Sequence, residues 1–487
     1  MFGNYVYEKS SAQYNDRILL IDDENLEETT NYSADFLAHG FEVVKYKDDL
    51  SFRLEYEEKV KVAGNKIVVI ADSHSYIPYD MWCRLRSYAL SLSSLFPKLN
   101  AESLKGKSKI DLDLVCTAYG NVFDNLQQKQ QTDTFLRMKV YSESNIRIYL
   151  QHRMQSIREK VVKAVTCKDW FAIAEEKALI DVLAAKYDIG IDTTEINEKF
   201  REYVLQHFGK ISQILDANSP VLVSKAMEYI NDRSFKYVLI VMDGMSEFDW
   251  NIIAGSFTGV AYEKSSVMAM IPTTTSVSRQ CLLSNKYPSQ LISPWSQSKE
   301  KQEFVACAKE LGFKDNQIGY ERGYDAEFGS FVRCGAIIVN DVDDLVHAQQ
   351  QGRIGMYNDI SVLANQRKLV DTTKRMLSAG YDVYITADHG NTPCVGLGKY
   401  IGAGVEVETK SRRMMVLKDF ADKSSLIEKY GLIDYPKYYL TKDFDYLICD
   451  VGTSLDAKGK EVMSHGGITI DEVVVPFIKM KAEDYNG

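Results

Sequence analysis

At residues 384–391 an apolar run delivers Asp388 and His389 side by side and then breaks at Gly390. Neighbouring strand residues point to opposite faces, so both side chains reach one ion only where the strand ends and the backbone bends. A carboxylate and an imidazole placed there form a ligand pair for Zn²⁺ or Mn²⁺. Alone, such a pair is a weak signal and reads first as a solvated loop. What changes the reading is that each of the three histidines in the C-terminal half, His347, His389 and His465, has an acidic or glycine neighbour. Asp343 and His347 lie four apart at the start of a helical stretch, which puts them on one face. His465 precedes Gly466 and Gly467, whose missing Cβ lets the backbone turn tightly beside a site. Asp243 ends the strongly apolar run VLIVM and is followed by Gly244, at the kind of strand end where α/β folds place their sites. Singly, Asp243 or Asp343 reads as a helix cap and His465 as a loop histidine. Convergence of all of them at strand ends points instead to a metal centre.

Between Asp243 and Asp343 lies SSVMAMIPTTTSVSRQCLLS, residues 265–284. It reads as a strand, a proline break, a hydroxyl cluster and an amphipathic helix. Unpaired N–H groups and the positive dipole end at a helix N-terminus favour a phosphate oxyanion beside a Thr or Ser. The ordinary alternative is that Thr273, Thr274, Thr275 and Ser276 cap the helix, but capping needs only one of them.

These motifs need a scaffold, and composition says which kind. With 487 residues, two or three domains are expected. Hydrophobic residues at 45% against 26% charged fit a globular chain with substantial cores. No apolar run approaches the roughly 20 residues of a membrane span. The first 17 residues lack a basic start followed by an apolar core, so no secretion signal is predicted. Eight scattered cysteines without a CxxC pair read as reduced thiols, and a cytoplasmic location follows. A net charge of −10 argues against salt-driven coating of DNA, though not against a local groove or metal site that attracts phosphate.

In chain order, apolar runs at 17–22, 41–46 and 66–72 alternate with helical stretches, which predicts a small α/β domain over residues 1–118. Asp22, Asp23 and Asp72 at its strand ends resemble the acidic cluster of receiver domains. The late Pro78 and the missing lysine-proline element argue against that, leaving a small recognition domain. Residues 119–236 carry apolar positions at three- and four-residue spacing with little Gly or Pro, predicting a helical spacer or lid. Asn218-Ser219-Pro220 predicts a helix starting directly over residues 221–230. From residue 237 to 487 strands dominate, each followed by a polar loop and a helix, as in an α/β sheet with helices on both faces.

The order Asp…PTxT…DxxxH…DHG…HGG resembles the alkaline phosphatase superfamily. Within it, DGMSEFDW, IPTTTSVSR and SHGGITIDEVVVP are similar to the PglZ domain of BREX-type phage-defence systems, over roughly residues 235–485. FRLEYEE and SLSSLFPKLN resemble the family more loosely in the N-terminal half. The resemblance implies two divalent metals, usually zinc, with Mn²⁺ as an alternative. It implies Asp243, Thr275, Asp388 and His389 in one metal site and Asp343, His347 and His465 in the other; Asp341 is a possible substitute for Asp343, but six residues before His347 it fits a shared helical face less well. It also implies Thr275 as nucleophile of a phosphodiesterase, with Thr274 and Ser276 as neighbouring alternatives. Arg279, one turn beyond Thr275, either reaches a phosphate or is a surface arginine. Lys410, Arg412 and Arg413 form a local basic run that either guides a polyanion or is simply solvated. Nucleic acid, a nucleotide or another phosphodiester is the implied substrate, with other defence-system proteins as partners and no membrane. The alternatives are a phosphatase, phosphomutase or sulfatase using the same site, or a scaffold with structural metals.

Overall fold

In a computed structural model the chain divides into two compact units, Met1–Arg153 and Met154–Gly487. The structure describes residues 1–399, 405–407, 412–418 and 422–485.

In the first unit, β1 (Arg17–Ile21), β2 (Glu42–Lys45), β3 (Ile67–Ala71) and β4 (Arg86–Ala89) form a parallel sheet in the order β2-β3-β1-β4. Leu19, Val69, Ile67 and Val44 from the sheet pack with Phe52 and Val60 of the helix Asp49–Lys61. The first three strands stand where the apolar runs predict them. β4 does not announce itself, because RSYA lies on the sheet edge and only its tyrosine is even half-buried.

The second unit is built on a six-stranded sheet. Its strands are β5 (Tyr237–Met242), β6 (Glu263–Met268), β7 (Ile318–Arg322), β8 (Cys334–Val339), β9 (Asp382–Thr386) and β17 (Val474–Met480), in the order β6-β17-β9-β5-β8-β7. β9, β5, β8 and β7 are mutually parallel, and β17 runs against both β9 and β6. Every residue of β5 and β8 is buried, so both faces are covered, which is why these strands read as unbroken apolar runs without alternation. The register aligns Val241 with Thr386 and Met242 with Val339, so three neighbouring strands release their chains at one level.

Two smaller sheets lie between the DHG and HGG motifs. β10 (Thr392–Gly396) pairs with β15 (Thr453–Ser454) and β16 (Glu461–Ser464). β11 (Val405–Val407), β12 (Met414–Leu417), β13 (Ile433–Asp434) and β14 (Asp445–Ile448) form an antiparallel sheet in the order β11-β12-β14-β13. Met415, Leu417, Leu426 and Leu447 give that sheet its own small core.

One predicted helix start is corrected. Residues 221–230 do not turn helical after Pro220: Val221 adopts a left-handed φ of 57° and Leu222 bridges to Met268 beside β6. The α-helix begins at Ala226. Pairing with a sheet edge outweighed the local helix signal.

The helical segment ahead of β5 is tied to the last motif by charge. The helix Cys167–Lys186, opened by a Thr166–Asp169 capping box, carries a buried Lys177 that donates to Asp181 (2.7 Å) and Asp471 (2.8 Å). Asn197 Nδ2 also donates to Asp471, and Arg353 lies 3.3 Å from it. Removing the cation leaves buried carboxylates undercompensated. Lys177→Met is therefore expected to destabilise this unit by about 3 kcal/mol, read as a lower midpoint in denaturant unfolding, whereas Lys199→Met on the exposed face is expected to shift it little.

Candidate metal centre

Five motifs meet at the carboxyl ends of the parallel strands. Asp243 follows β5, Asp388 and His389 follow β9, and the helix Asp341–Ala348 bearing Asp343 and His347 follows β8. The helix Thr275–Ser284 follows β6, and His465 follows β16. Asp243, Asp388 and His389 form one compact group of ligand atoms, and Asp343, His347 and His465 form another. The groups adjoin: the rings of His389 and His465 stack with centroids 4.1 Å apart, and His347 lies 5.3 Å from His465.

In the first group, Thr275 Oγ1 lies 3.1 Å from His389 Nε2 and 3.4 Å from Asp243 Oδ1. His389 Nδ1 faces the Gly390 carbonyl at 3.0 Å. A carbonyl only accepts, so the proton sits on Nδ1 and the Nε2 lone pair faces Thr275 and the carboxylates. Asp388 Oδ1 accepts from the Gly244 and His389 N–H groups, at 3.2 and 3.1 Å, while its buried Oδ2 has no hydrogen-bond donor. Gly244 performs this at a φ of +75°, a conformation that favours glycine. Burial, and then the neighbouring Asp243 charge, push the Asp388 carboxyl well above its ordinary value, and burial likewise raises Asp243 against the pull of Arg279.

In the second group, Asp343 Oδ2 lies 3.3 Å from His347 Nε2, and Asp343 Oδ1 lies 3.3 Å from His465 Nε2. The two Nε2 atoms face each other at 3.5 Å, an approach two lone pairs tolerate only with positive charge between or on them. Burial opposes ionisation of Asp343, yet the two imidazoles hold its carboxyl far below the usual range. Burial would lower His465, but Asp343 raises it above the ordinary imidazole value. Both groups thus ask for cationic charge where their ligand atoms converge. An undonated buried carboxylate oxygen and histidines oriented through Nδ1 are what a divalent metal needs. The residues fit two such ions.

The loops are held by residues whose roles the sequence did not disclose. His465 Nδ1 donates to the Thr273 carbonyl (3.0 Å), Gly466 N–H donates to Thr273 Oγ1 (2.9 Å), and Thr273 Oγ1 donates to the Gly467 carbonyl (2.9 Å). Thr273 therefore ties the HGG turn and does not cap the helix; the N-cap is Thr274, whose side chain makes no capping bond and whose buried hydroxyl has no partner. Glu472 accepts from Gly467 N–H (2.8 Å), Thr469 N–H (3.1 Å) and Arg413 Nε (2.9 Å). Thr469 and Glu472 form a capping box, a spacing that was visible in the sequence. Asn391 Nδ2 donates to Gly244 O (2.9 Å) and Asp249 Oδ2 (2.6 Å), joining the DG and DHG turns.

Three sequence expectations change on this geometry. Arg279 is fully buried, bonded to Asp243 Oδ2 (2.5 Å) and Glu300 Oε2 (2.7 Å), so its fork grips a carboxylate and is neither a surface arginine nor directed at a phosphate. Of the basic run, Arg413 is buried against Glu472, Arg412 is exposed and paired with Asp456 at 2.6 Å, and Lys410 lies outside the described residues. Asp341 is not gathered with the ligand groups and interacts with the Tyr324 hydroxyl.

Residues 221–480 match the model of the BREX system PglZ alkaline phosphatase-like domain, more than half of the chain. The chain belongs to the PglZ family. The two N-terminal stretches that loosely resemble the family lie outside the matched residues. This PglZ domain thus carries the fold class expected of it, in a superfamily of typically metal-dependent hydrolases, and the BREX assignment sets it in a defence-system context. No curated protein matches the chain. Among solved structures it is similar to murine ectonucleotide pyrophosphatase/phosphodiesterase 5, at 12% identity, covering 50% of this chain and 88% of that one with a TM-score of 0.36. The human counterpart gives 14% identity, 51% and 89% coverage and a TM-score of 0.36. Phosphonoacetate hydrolase from Sinorhizobium meliloti, with phosphonoformate, gives 11% identity, 50% and 90% coverage and a TM-score of 0.31. Among the described residues, no helix is long and apolar enough to cross a membrane.

The bracing of the HGG turn is open to direct measurement. A Cβ on Gly467 would stand 2.5 Å from Arg413 Nη2, inside the buried Arg413–Glu472 pair. Gly467→Ala is expected to cost about 1–3 kcal/mol through overpacking, seen as a lower thermal midpoint. Gly459→Ala, where nothing lies within 4 Å of a built Cβ, is expected to cost less, about 1 kcal/mol from its left-handed φ of +74°.

Proposed function

We propose that the chain is a two-metal phosphodiesterase in which Thr275 is the nucleophile. The observation that carries the reading is the position of the Thr275 hydroxyl, at the head of its helix and within 3.4 Å of Asp243 and His389, beside a second, adjoining Asp-His-His group. Asp243, Thr275, Asp388 and His389 would hold one divalent cation, and Asp343, His347 and His465 the other, with zinc the first candidate and manganese the second. Such ions supply Lewis-acid chemistry, neutralising phosphoryl oxygens and lowering the pKa of a hydroxyl.

The chain's own groups do the rest. Thr275 Oγ1 attacks phosphorus, forming a phosphothreonine ester as the bond to the leaving oxygen breaks; its proton passes to solvent, and solvent in turn protonates the leaving oxygen. The Thr275 and Ser276 N–H groups at the head of the helix Thr275–Ser284 make no backbone hydrogen bond, and with the dipole they favour the non-bridging oxygens of the phosphoryl group. His389, kept neutral by burial and by the neighbouring His465, keeps its Nε2 lone pair beside Thr275 Oγ1, where both would ligate the same cation. Water then hydrolyses the phosphothreonine and restores the hydroxyl. Nucleic acids and nucleotides are the substrate class proposed for a chain in a phage-defence setting, acting beside other proteins of the same system in the cytoplasm.

The test is zinc and manganese content of purified protein with turnover of bis-p-nitrophenyl phosphate, its monoester, and single- and double-stranded DNA. Diesters are expected to turn over faster than the monoester. A clear monoester preference would move the assignment to a phosphatase, and absence of turnover with every metal and ester would favour a scaffold. Thr275→Ala is expected to keep metal and fold while losing about three orders of magnitude or more in kcat, since a positioned nucleophile is gone. Asp388→Ala is expected to lower metal content and activity together. Full activity in Thr275→Ala would transfer the role to Thr274 or to water.

A further inference from the structure

Asp243 is gripped from both oxygens by one helix. Thr275 and Arg279 stand four apart, so one face of the helix Thr275–Ser284 presents the hydroxyl to Asp243 Oδ1 (3.4 Å) and the guanidinium to Asp243 Oδ2 (2.5 Å). Arg279 is itself fixed from behind: Nε donates to Glu300 Oε2 at 2.7 Å. The other oxygen of Glu300 accepts from the Tyr320 hydroxyl and from Arg322 Nη2 (3.0 Å) on the edge strand β7. Arg279 and Glu300 are both buried, whereas the Arg322 side chain is 50% exposed. The result is a chain of alternating charge, Asp243–Arg279–Glu300–Arg322, from the centre to the surface.

The geometry assigns Arg279 as a positioning residue: braced by Glu300, it occupies one oxygen of Asp243 so that a single oxygen is offered to the metal group and to Thr275, and its fixed positive charge sets how strongly the centre attracts cations. This rests on the two-metal reading. A carboxylate with both oxygens free rotates and can chelate through both; a guanidinium held by a second carboxylate removes that freedom. Arg279 also places one permanent cation against the buried Asp243 and Asp388, and Glu300 in turn offsets Arg279. The two variants should therefore move metal affinity in opposite directions, which loss of packing alone would not do.

Zinc stoichiometry and Kd, measured by calorimetry against a competing chelator on the full chain, separate the cases when combined with apo-protein melting and with kcat and KM for bis-p-nitrophenyl phosphate. Arg279→Gln is expected to retain both ions and bind zinc about tenfold more tightly, because a like charge has been removed nearby. Its kcat should fall about 10- to 100-fold at little-changed KM, as Asp243 and Thr275 lose their alignment. Arg279→Lys should return Kd toward the parent without restoring kcat, since an ammonium supplies the charge but not the fork. Glu300→Gln, leaving Arg279 uncompensated, should weaken zinc roughly tenfold. Should Arg279→Gln fail to fold, Arg322→Gln at the exposed end is the substitute, and a lowered kcat with zinc stoichiometry intact supports the assignment. Parallel loss of zinc, kcat and melting temperature in Arg279→Gln and Glu300→Gln would overturn it, as would unchanged Kd and kcat in both. A parent that takes up no zinc or manganese would instead overturn the two-metal reading on which it stands.

Discussion

Buried carboxylates need positive charge, and the C-terminal unit is arranged around that requirement. Asp243 and Asp388 lie almost wholly out of water, with Asp343 close by. Ionised carboxylates crowded into a low-dielectric site are tolerated only when cations or hydrogen-bond donors face them. Arg279 supplies one such charge from within the chain, and the three imidazoles line the remainder. The parallel strands make the crowding possible, since β9, β5 and β8 end level and release their acidic residues at one edge.

A site assembled from separate loops is only as well defined as the contacts that hold each loop. Here the braces are themselves buried and polar. Thr273 ties the turn after β16 to the segment before the Thr275 helix, Glu472 with Arg413 fixes Gly467, and Asn391 joins the turns after β5 and β9. Behind the DHG turn a Cβ on Gly390 would stand 2.0 Å from the Asp471 carbonyl, and Asp471 is the residue that Lys177 clamps. The helix Cys167–Lys186 is thus part of the support of the centre, although in the sequence its stretch reads as a spacer or lid. Such buried polar networks restrict a site to one arrangement, which a reaction dependent on alignment requires.

Much of this was legible in the residues. Apolar runs ending in Asp243 and in Asp388-His389 specify buried strands with ligands at their ends, because strand periodicity and a terminal glycine leave few other readings. The four-residue spacing of Asp343 and His347 on one helix is local geometry, independent of the rest of the fold. The spacing of Thr275 and Arg279 is equally local, and the sequence placed them on a shared face. What that face meets is not local: a guanidinium suits a phosphate and a carboxylate equally, and only the placement of the helix beside the turn after β5 brought it to Asp243.

The sequence by itself determined which side chains can bind a cation and which elements carry them, since those follow from residue type and short-range periodicity. Tertiary structure alone decided the partners. Arg413, part of a basic run on paper, became a buried counter-charge because Glu472, 59 positions later, folds back onto it. Glu300 and Lys177 are charged helix residues of a type usually found at the surface, and they are interior here because other chain segments cover them. Residue type and periodicity act over a few neighbours, whereas burial, and with it the strength of every charge in this centre, depends on segments that meet only when the chain is folded.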